Sequence, residues 1–245
     1  MVETLVLDVC FDENLRRALE DLRKGKVVLI YESEERETSM IVAAEKMNSS
    51  TLKVMKKLAS SDICVVMSHD LSKRFGLPFL TDALKFAEKK FPVLKKIVPR
   101  KRERGSLSLL LDHVNSKTGS SDGDKLMLVK GLVDIAKSGE YDGFSRIVRA
   151  PGHLKFFIAS KNLLRERRGH TEMSIAMMRL AGLCEIAVIC SMRDEKTGEM
   201  LSKEKARRYS KKNGLGFLEG KEIIKAYKGI SYTNQRGPMG AARKK

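Results

Sequence analysis

The chain has 245 residues, a length that suits one extended α/β domain or two small ones, and a single domain is the simpler organisation. No apolar run approaches the ~20 residues of a membrane span, the acidic Met1-Val2-Glu3-Thr4 start lacks signal-peptide order, and the four cysteines form no C-x-x-C pair, which argues against membrane insertion, disulfide frameworks and zinc fingers and for a reduced, cytoplasmic protein. A charge of +17, from 48 Lys plus Arg against 31 Asp plus Glu, implies nonspecific attraction of polyanions, although 6% aromatics and no Trp leave little for base stacking.

In chain order, Leu15, Ala18, Leu19 and Leu22 recur at helical spacing and predict a first amphipathic helix, closed by Gly25. Val27 to Tyr31 and Met40 to Ala44 are short apolar runs that read as buried strands. The acidic stretch Glu32 to Ser39 joins them as a loop at a sheet edge, a place where metal ions bind. Leu52, Met55 and Leu58 outline a helix, Ile63 to Met67 a strand, and Asp70 is the expected cap of a short helix ended by Gly76. Leu77-Pro78-Phe79 is extended, and the basic stretch from Phe86 to Arg104, with Pro92 and Pro99, reads as an excursion from the core without strands. Leu107 to Leu111 predicts a strand, Asn115 to Ser121 a polar turn, and Asp122 and Asp124 the charged start of a helix.

Ser145 to Arg149 and Leu154 to Ala159 are expected strands on either side of a Pro151-Gly152-His153 turn. Arg167-Arg168-Gly169-His170-Thr171-Glu172 then brings a histidine to the start of an apolar helix, with Thr171 as the expected N-cap and Gly182 at the far end. The N–H groups of that helix start, together with Arg167 and Arg168, suit a phosphate, although by itself the segment reads more readily as a solvated basic turn. Glu185 to Cys190 is a further strand, Ser202 caps a basic helix that Asn213-Gly214 ends, and Ile223, Ile224 and Tyr227 belong to a last helix. The pattern predicts one domain over 1–230 and a mobile basic tail over 231–245. Alternating strands and helices give an α/β (α+β) fold, a mixed sheet covered by helices. The absence of G-x-G-x-x-G after a strand and of a P-loop motif argues against dinucleotide and P-loop chemistry.

Four segments taken together, Tyr31 to Glu37, Thr118-Gly119, Arg149-Ala150-Pro151-Gly152-His153 and Arg167 to Glu172, resemble the 3,4-dihydroxy-2-butanone 4-phosphate synthase family in order and spacing, along nearly the whole chain, roughly Asn14 to Tyr227. The later course of the chain is similar to archaeal members. The resemblance implies a magnesium-dependent, or manganese-dependent, lyase of riboflavin biosynthesis that converts D-ribulose 5-phosphate to formate and L-3,4-dihydroxy-2-butanone 4-phosphate, acting as a homodimer with sites at the subunit boundary. It implies Glu37 and His170 as metal ligands and Glu37, His170 and Cys64 as the catalytic set. Arg36, Ser39, Arg167, Arg168, Gly169, Thr171, Thr118, His153 and Ser191 fall at substrate-binding positions.

Three acids of the family pattern are missing. The loop after Arg36-Glu37 is two residues shorter than the family's, which removes a Glu; Ser39 stands at an Asp position, and Ser191 replaces the Glu that follows the cysteine of the late strand. A positioned acid or base typically contributes about 10²- to 10⁴-fold in rate. Glu32, Glu34, Glu35 and Glu195 are the unaligned acids that a shifted loop could supply. Read from residue type alone, Cys64 and Cys190 are core thiols and His153 is a structural member of a tight turn. Two other readings therefore stand beside the lyase: a homologue that binds a sugar phosphate or another protomer without turnover, and a basic nucleic-acid-binding module on the same scaffold.

Overall fold

The computed structural model describes residues 11–34, 36–58, 62–99 and 105–235. Helix α1 (Glu13–Arg23) turns Leu15, Ala18, Leu19 and Leu22 inward and is N-capped by Asp12. Strands β1 (Val28–Glu32) and β2 (Glu37–Ala43) form an antiparallel hairpin, so Glu37, Thr38 and Ser39 already lie in a strand and the acidic loop is shorter than expected. Next come α2 (Ser49–Leu58), β3 (Cys64–Met67) and α3 (His69–Arg74). The cap of α3 is Ser68, whose hydroxyl accepts from the Leu71 N–H at 3.3 Å; Asp70 instead supplies charge within the first turn.

The basic excursion holds two short helices, α4 (Leu80–Ala87) and α5 (Leu94–Ile97). Strand β4 (Leu107–His113) leads to α6 (Asp122–Ser138), capped by Ser121, and to the single turn α7 (Phe144–Ile147). Strand β5 (Val148–Ile158) corrects the expectation of two strands around a turn: Ser145 to Ile147 are helical, and Pro151-Gly152-His153 lies inside one continuous strand. The ladder with β4 accommodates these residues through a register shift between Leu111 and Asp112. Gly152 is required there, because a Cβ would fall 2.2 Å from the Leu111 carbonyl carbon.

The chain ends with α8 (His170–Ala181), β6 (Ile186–Ser191), α9 (Lys203–Asn213), β7 (Gly216–Glu219) and α10 (Gly220–Gln235). Helix α10 continues to Gln235, so the boundary drawn at residue 230 falls inside it; residues 236–245 lie outside the described residues.

The strands form one mixed seven-stranded sheet in the order β4-β5-β3-β6-β2-β1-β7, with β3–β5 and β1–β7 parallel and the other neighbours antiparallel. Successive side chains alternate between its faces. Leu29, Met40, Val42, Val65, Phe156 and Val188 pack on one face with α2 and α6 residues such as Met55 and Leu132. Val28, Ile30, Ile41, Val66, Ala187 and Ile189 pack on the other, with residues of α1, α8 and α10. This is the expected α/β architecture, a mixed sheet with helices on both sides.

Candidate active site

The second face runs out into a cavity of about 880 Å³. Register decides which strand residues share it, because directly paired residues on neighbouring strands point the same way. Ser39 pairs with Ser191, Ile189 with Cys64, and Cys64 with Lys155, which places one row of lining residues across β2, β6, β3 and β5. Glu37 and Phe157 extend the row by two positions on their own strands. Arg167, His170 and Thr171 close the cavity from the start of α8.

Helix α8 begins differently from the sequence expectation. Gly169, at φ −85° and ψ 173°, is the N-cap and offers no side-chain acceptor, while His170 opens the helix and Thr171 lies in its first turn. The first N–H groups of α8 therefore lack a Ser or Thr cap and sit beside the Arg167 guanidinium, an arrangement that attracts an anion. Arg167 is steadied by donating to the Ser106 hydroxyl and lies 4.0 Å from the Glu172 carboxylate. Glu172 is buried and accepts the Ser160 N–H at 2.9 Å. Burial pushes its carboxyl pKa up, against the opposing pull of the Ser160 N–H and the Arg167 charge.

Glu37 and His170 meet across the cavity, with His170 Nε2 3.9 Å from Glu37 Oε2. A hard divalent cation sits at ~2.1 Å from each ligand atom and completes its shell with water, so a carboxylate oxygen and an imidazole nitrogen at this separation can share one ion. Among the described residues no third His, Cys, Asp or Glu joins them. The Ser191 hydroxyl donates to Glu37 Oε1 and holds that carboxylate in place. Ser39 Oγ is buried and has no hydrogen-bond partner among the described residues. Cys64 lines the cavity, and burial pushes its pKa up to about 11, which favours the protonated thiol.

Of the residues singled out from sequence, the cavity brings together Glu37, Ser39, Cys64, Arg167, His170, Thr171 and Ser191. Arg36 is not among its lining residues and lies in the β1–β2 turn at φ 53°; Arg168 is exposed, and Gly169 contributes as the N-cap. Thr118 and His153 belong to a second cluster. There the buried Asp112 carboxylate takes the His153 N–H at 2.9 Å and pairs with His153 Nδ1 at 2.9 Å, with Arg149 at 3.7 Å. Gly119 packs so close to Asp112 that a Cβ would fall 2.2 Å from its carboxylate. Asp124 does more than charge a helix start, since it collects the N–H groups of Lys117, Thr118 and Gly119.

Lys56, Asp62, Ser106, Lys155 and Arg193 also line the cavity and were not singled out from sequence. Lys155 carried a readable signal, a lone charge within the apolar run Leu154 to Ala159. Of the unaligned acids, Glu32 is buried at the end of β1, Glu35 lies outside the described residues, and neither Glu34 nor Glu195 lines the cavity.

The sequence pattern of the 3,4-dihydroxy-2-butanone 4-phosphate synthase family matches residues 16–226. The 3,4-dihydroxy-2-butanone 4-phosphate synthase of Methanothermobacter thermautotrophicus is 37% identical over 218 residues, covering 87% of this chain and 95% of the relative. That of Methanosarcina mazei is 37% identical over 226 residues, covering 88% and 92%. Among solved structures, a cation-free 3,4-dihydroxy-2-butanone 4-phosphate synthase superposes with a TM-score of 0.72 at 20% identity, covering 91% of this chain and 99% of that one. Another, in complex with two magnesium ions, gives 0.71 at 21% identity, covering 90% and 97%. At these identities the structural likeness is one of fold.

Proposed function

Because the chain belongs to the 3,4-dihydroxy-2-butanone 4-phosphate synthase family, lyases of riboflavin biosynthesis, we propose that it converts D-ribulose 5-phosphate to formate and L-3,4-dihydroxy-2-butanone 4-phosphate with a bound magnesium ion, manganese being the alternative metal. The observation that carries this reading is the meeting of Glu37 and His170 in the same cavity as Arg167 and the start of α8. Arg167 and the first N–H groups of α8 hold the phosphate end of the sugar, which fixes the carbon chain relative to the Glu37–His170 pair. Glu37 and His170 would hold the metal, which when bound would supply Lewis acidity toward the sugar oxygens. Ser191 orients Glu37, and Thr171 adds a hydroxyl beside the phosphate end.

The cluster around Asp112, with Thr118 and His153, lies apart from this cavity, which fits a homodimer whose second copy brings that cluster to the site. Ser39 and Ser191 favour a second reading, a sugar-phosphate-binding homologue without turnover, because neither hydroxyl can take up the proton transfers of a carboxylate.

The test is to incubate the purified full chain with ribulose 5-phosphate and magnesium and to measure formate. The unaltered chain releases formate, EDTA abolishes the release, and Glu37→Gln and His170→Ala each lower it ~10²-fold or more. A folded chain that binds the sugar phosphate yet makes no formate supports the second reading instead. Formate release that survives both substitutions overturns the site assignment.

A further inference from the structure

We propose that Asp62 is the proton carrier of this cavity, taking the place of the acids that the family pattern keeps at the positions of Ser39 and Ser191; the proposal rests on the lyase reading above. Among the described residues, Glu37 and Asp62 are the carboxylates that line the cavity. Glu37 faces His170 and receives the Ser191 hydroxyl, so it is committed to the metal pair. Among the other lining groups Lys155 competes, and most of the rest serve poorly as carriers. Ser39, Ser106, Thr171 and Ser191 are hydroxyls, Arg167 and Arg193 are guanidinium groups that do not deprotonate in proteins, and Lys56 is ion-paired to Asp122 at 2.7 Å. Cys64 is held as a thiol by burial.

Asp62 has the right position. It lies just before β3 with Ile63 between them, its backbone carbonyl lies 3.9 Å from the Cys64 sulfur, and its side chain is exposed, so its carboxylate can exchange protons with solvent between steps. Lys155, the direct β5 partner of Cys64, lines the same cavity, so its wall carries a cation as well as the carboxylate. A carboxylate flanked in this way takes the proton from a carbon next to the sugar carbonyl as the C–H bond breaks. The electron pair stays on the sugar as an enediolate. The carboxylic acid then returns a proton to the sugar before formate leaves, and the carboxylate is regenerated with no other reactant.

Formate release and exchange of deuterium from D2O into ribulose 5-phosphate test this with the full-length chain and magnesium. Asp62→Asn lowers kcat ~10²-fold or more, leaves KM within ~3-fold and removes the acidic limb of the kcat–pH profile, while Asp62→Glu restores a measurable part of the rate. Calorimetric titration with ribulose 5-phosphate shows that Asp62→Asn still folds and binds. Formate from the unaltered chain together with kcat of Asp62→Asn within ~3-fold of it overturns the role of Asp62 and leaves the lyase reading standing. So does a loss of rate confined to Lys155→Ala. No formate from the unaltered chain overturns the lyase reading itself, and this inference with it.

Discussion

Ser191 and Glu37 show how much one residue can decide. With the Ser191 hydroxyl on Oε1, Glu37 presents Oε2 toward His170, so a residue that has lost an acid's proton chemistry keeps an orienting role. Groups that orient a metal ligand typically carry 10- to 100-fold in metal affinity. Ser191→Ala is therefore expected to weaken magnesium binding by about 10-fold, with the thermal unfolding midpoint of the metal-free chain almost unchanged. Isothermal titration with magnesium alone measures this, and an unchanged affinity would show that the hydrogen bond does no orienting. The same scale explains Ser39, whose buried hydroxyl lines the cavity without a partner among the described residues and so has a place for substrate or water.

Among the elements, several helix ends were legible in the sequence because caps are local, although the expected caps Asp70 and Thr171 gave way to Ser68 and Gly169. Ser202 caps α9, and Gly182 and Gly214 end α8 and α9 in the left-handed conformation, as read from residue type, whereas the Ser121 cap of α6 was read only as the end of a polar turn. Elements defined by their neighbours were not legible. Strand β7 has four residues and owes its form to parallel pairing with β1, while α4 buries no residue and so shows no core-facing period. Strand β5 was divided in two because Pro-Gly reads locally as a turn, whereas the β4 ladder carries it through. The site divides the same way. Glu37, Arg167, His170 and Thr171 lie in recognisable segments, but Asp62, Lys155 and Arg193 reach the cavity only through register and chain path.

Beside β7, the Glu219 carboxylate joins three elements, taking Arg207 and Lys203 of α9, the latter at 2.9 Å, and Lys221 of α10 at 3.2 Å. Burial raises its pKa, but hydrogen bonds and charge from Lys203 and Lys221 outweigh this and hold it below 4.5. A folded-state pKa below the unfolded one stabilises the fold at neutral pH, and that stability fades as pH falls below 4.5 toward the folded value. Glu219→Gln should therefore lower the melting temperature at pH 7, and the gap to the unaltered chain should narrow as the medium is acidified through that range. A gap independent of pH would assign the loss to packing.

At the scale of the whole molecule, the +17 charge exceeds what one phosphorylated sugar needs. Retention on an RNA column is expected to fall steeply with salt, and removal of residues 236–245, which contain Arg236, Arg243, Lys244 and Lys245, should make the log–log slope shallower. A slope unchanged by the truncation would place the attraction on the folded body, for instance on Lys85, Lys89, Lys90, Lys95 and Lys96 around α4 and α5.

The strand order has a consequence in time. Strand β6 lies between β2 and β3, although both of its neighbours precede it by roughly half of the chain, so the centre of the sheet closes only when a late segment enters between two early ones. Such long-range pairing slows folding, because loop closure must come before its contacts are gained. A chain still on the ribosome and not yet extended through Ser191 lacks β6, and its Glu37 has no Ser191 to hold it. Magnesium and sugar phosphate should thus be captured only after β6 has entered the sheet, which makes ligand binding a signal that the centre of the sheet has closed.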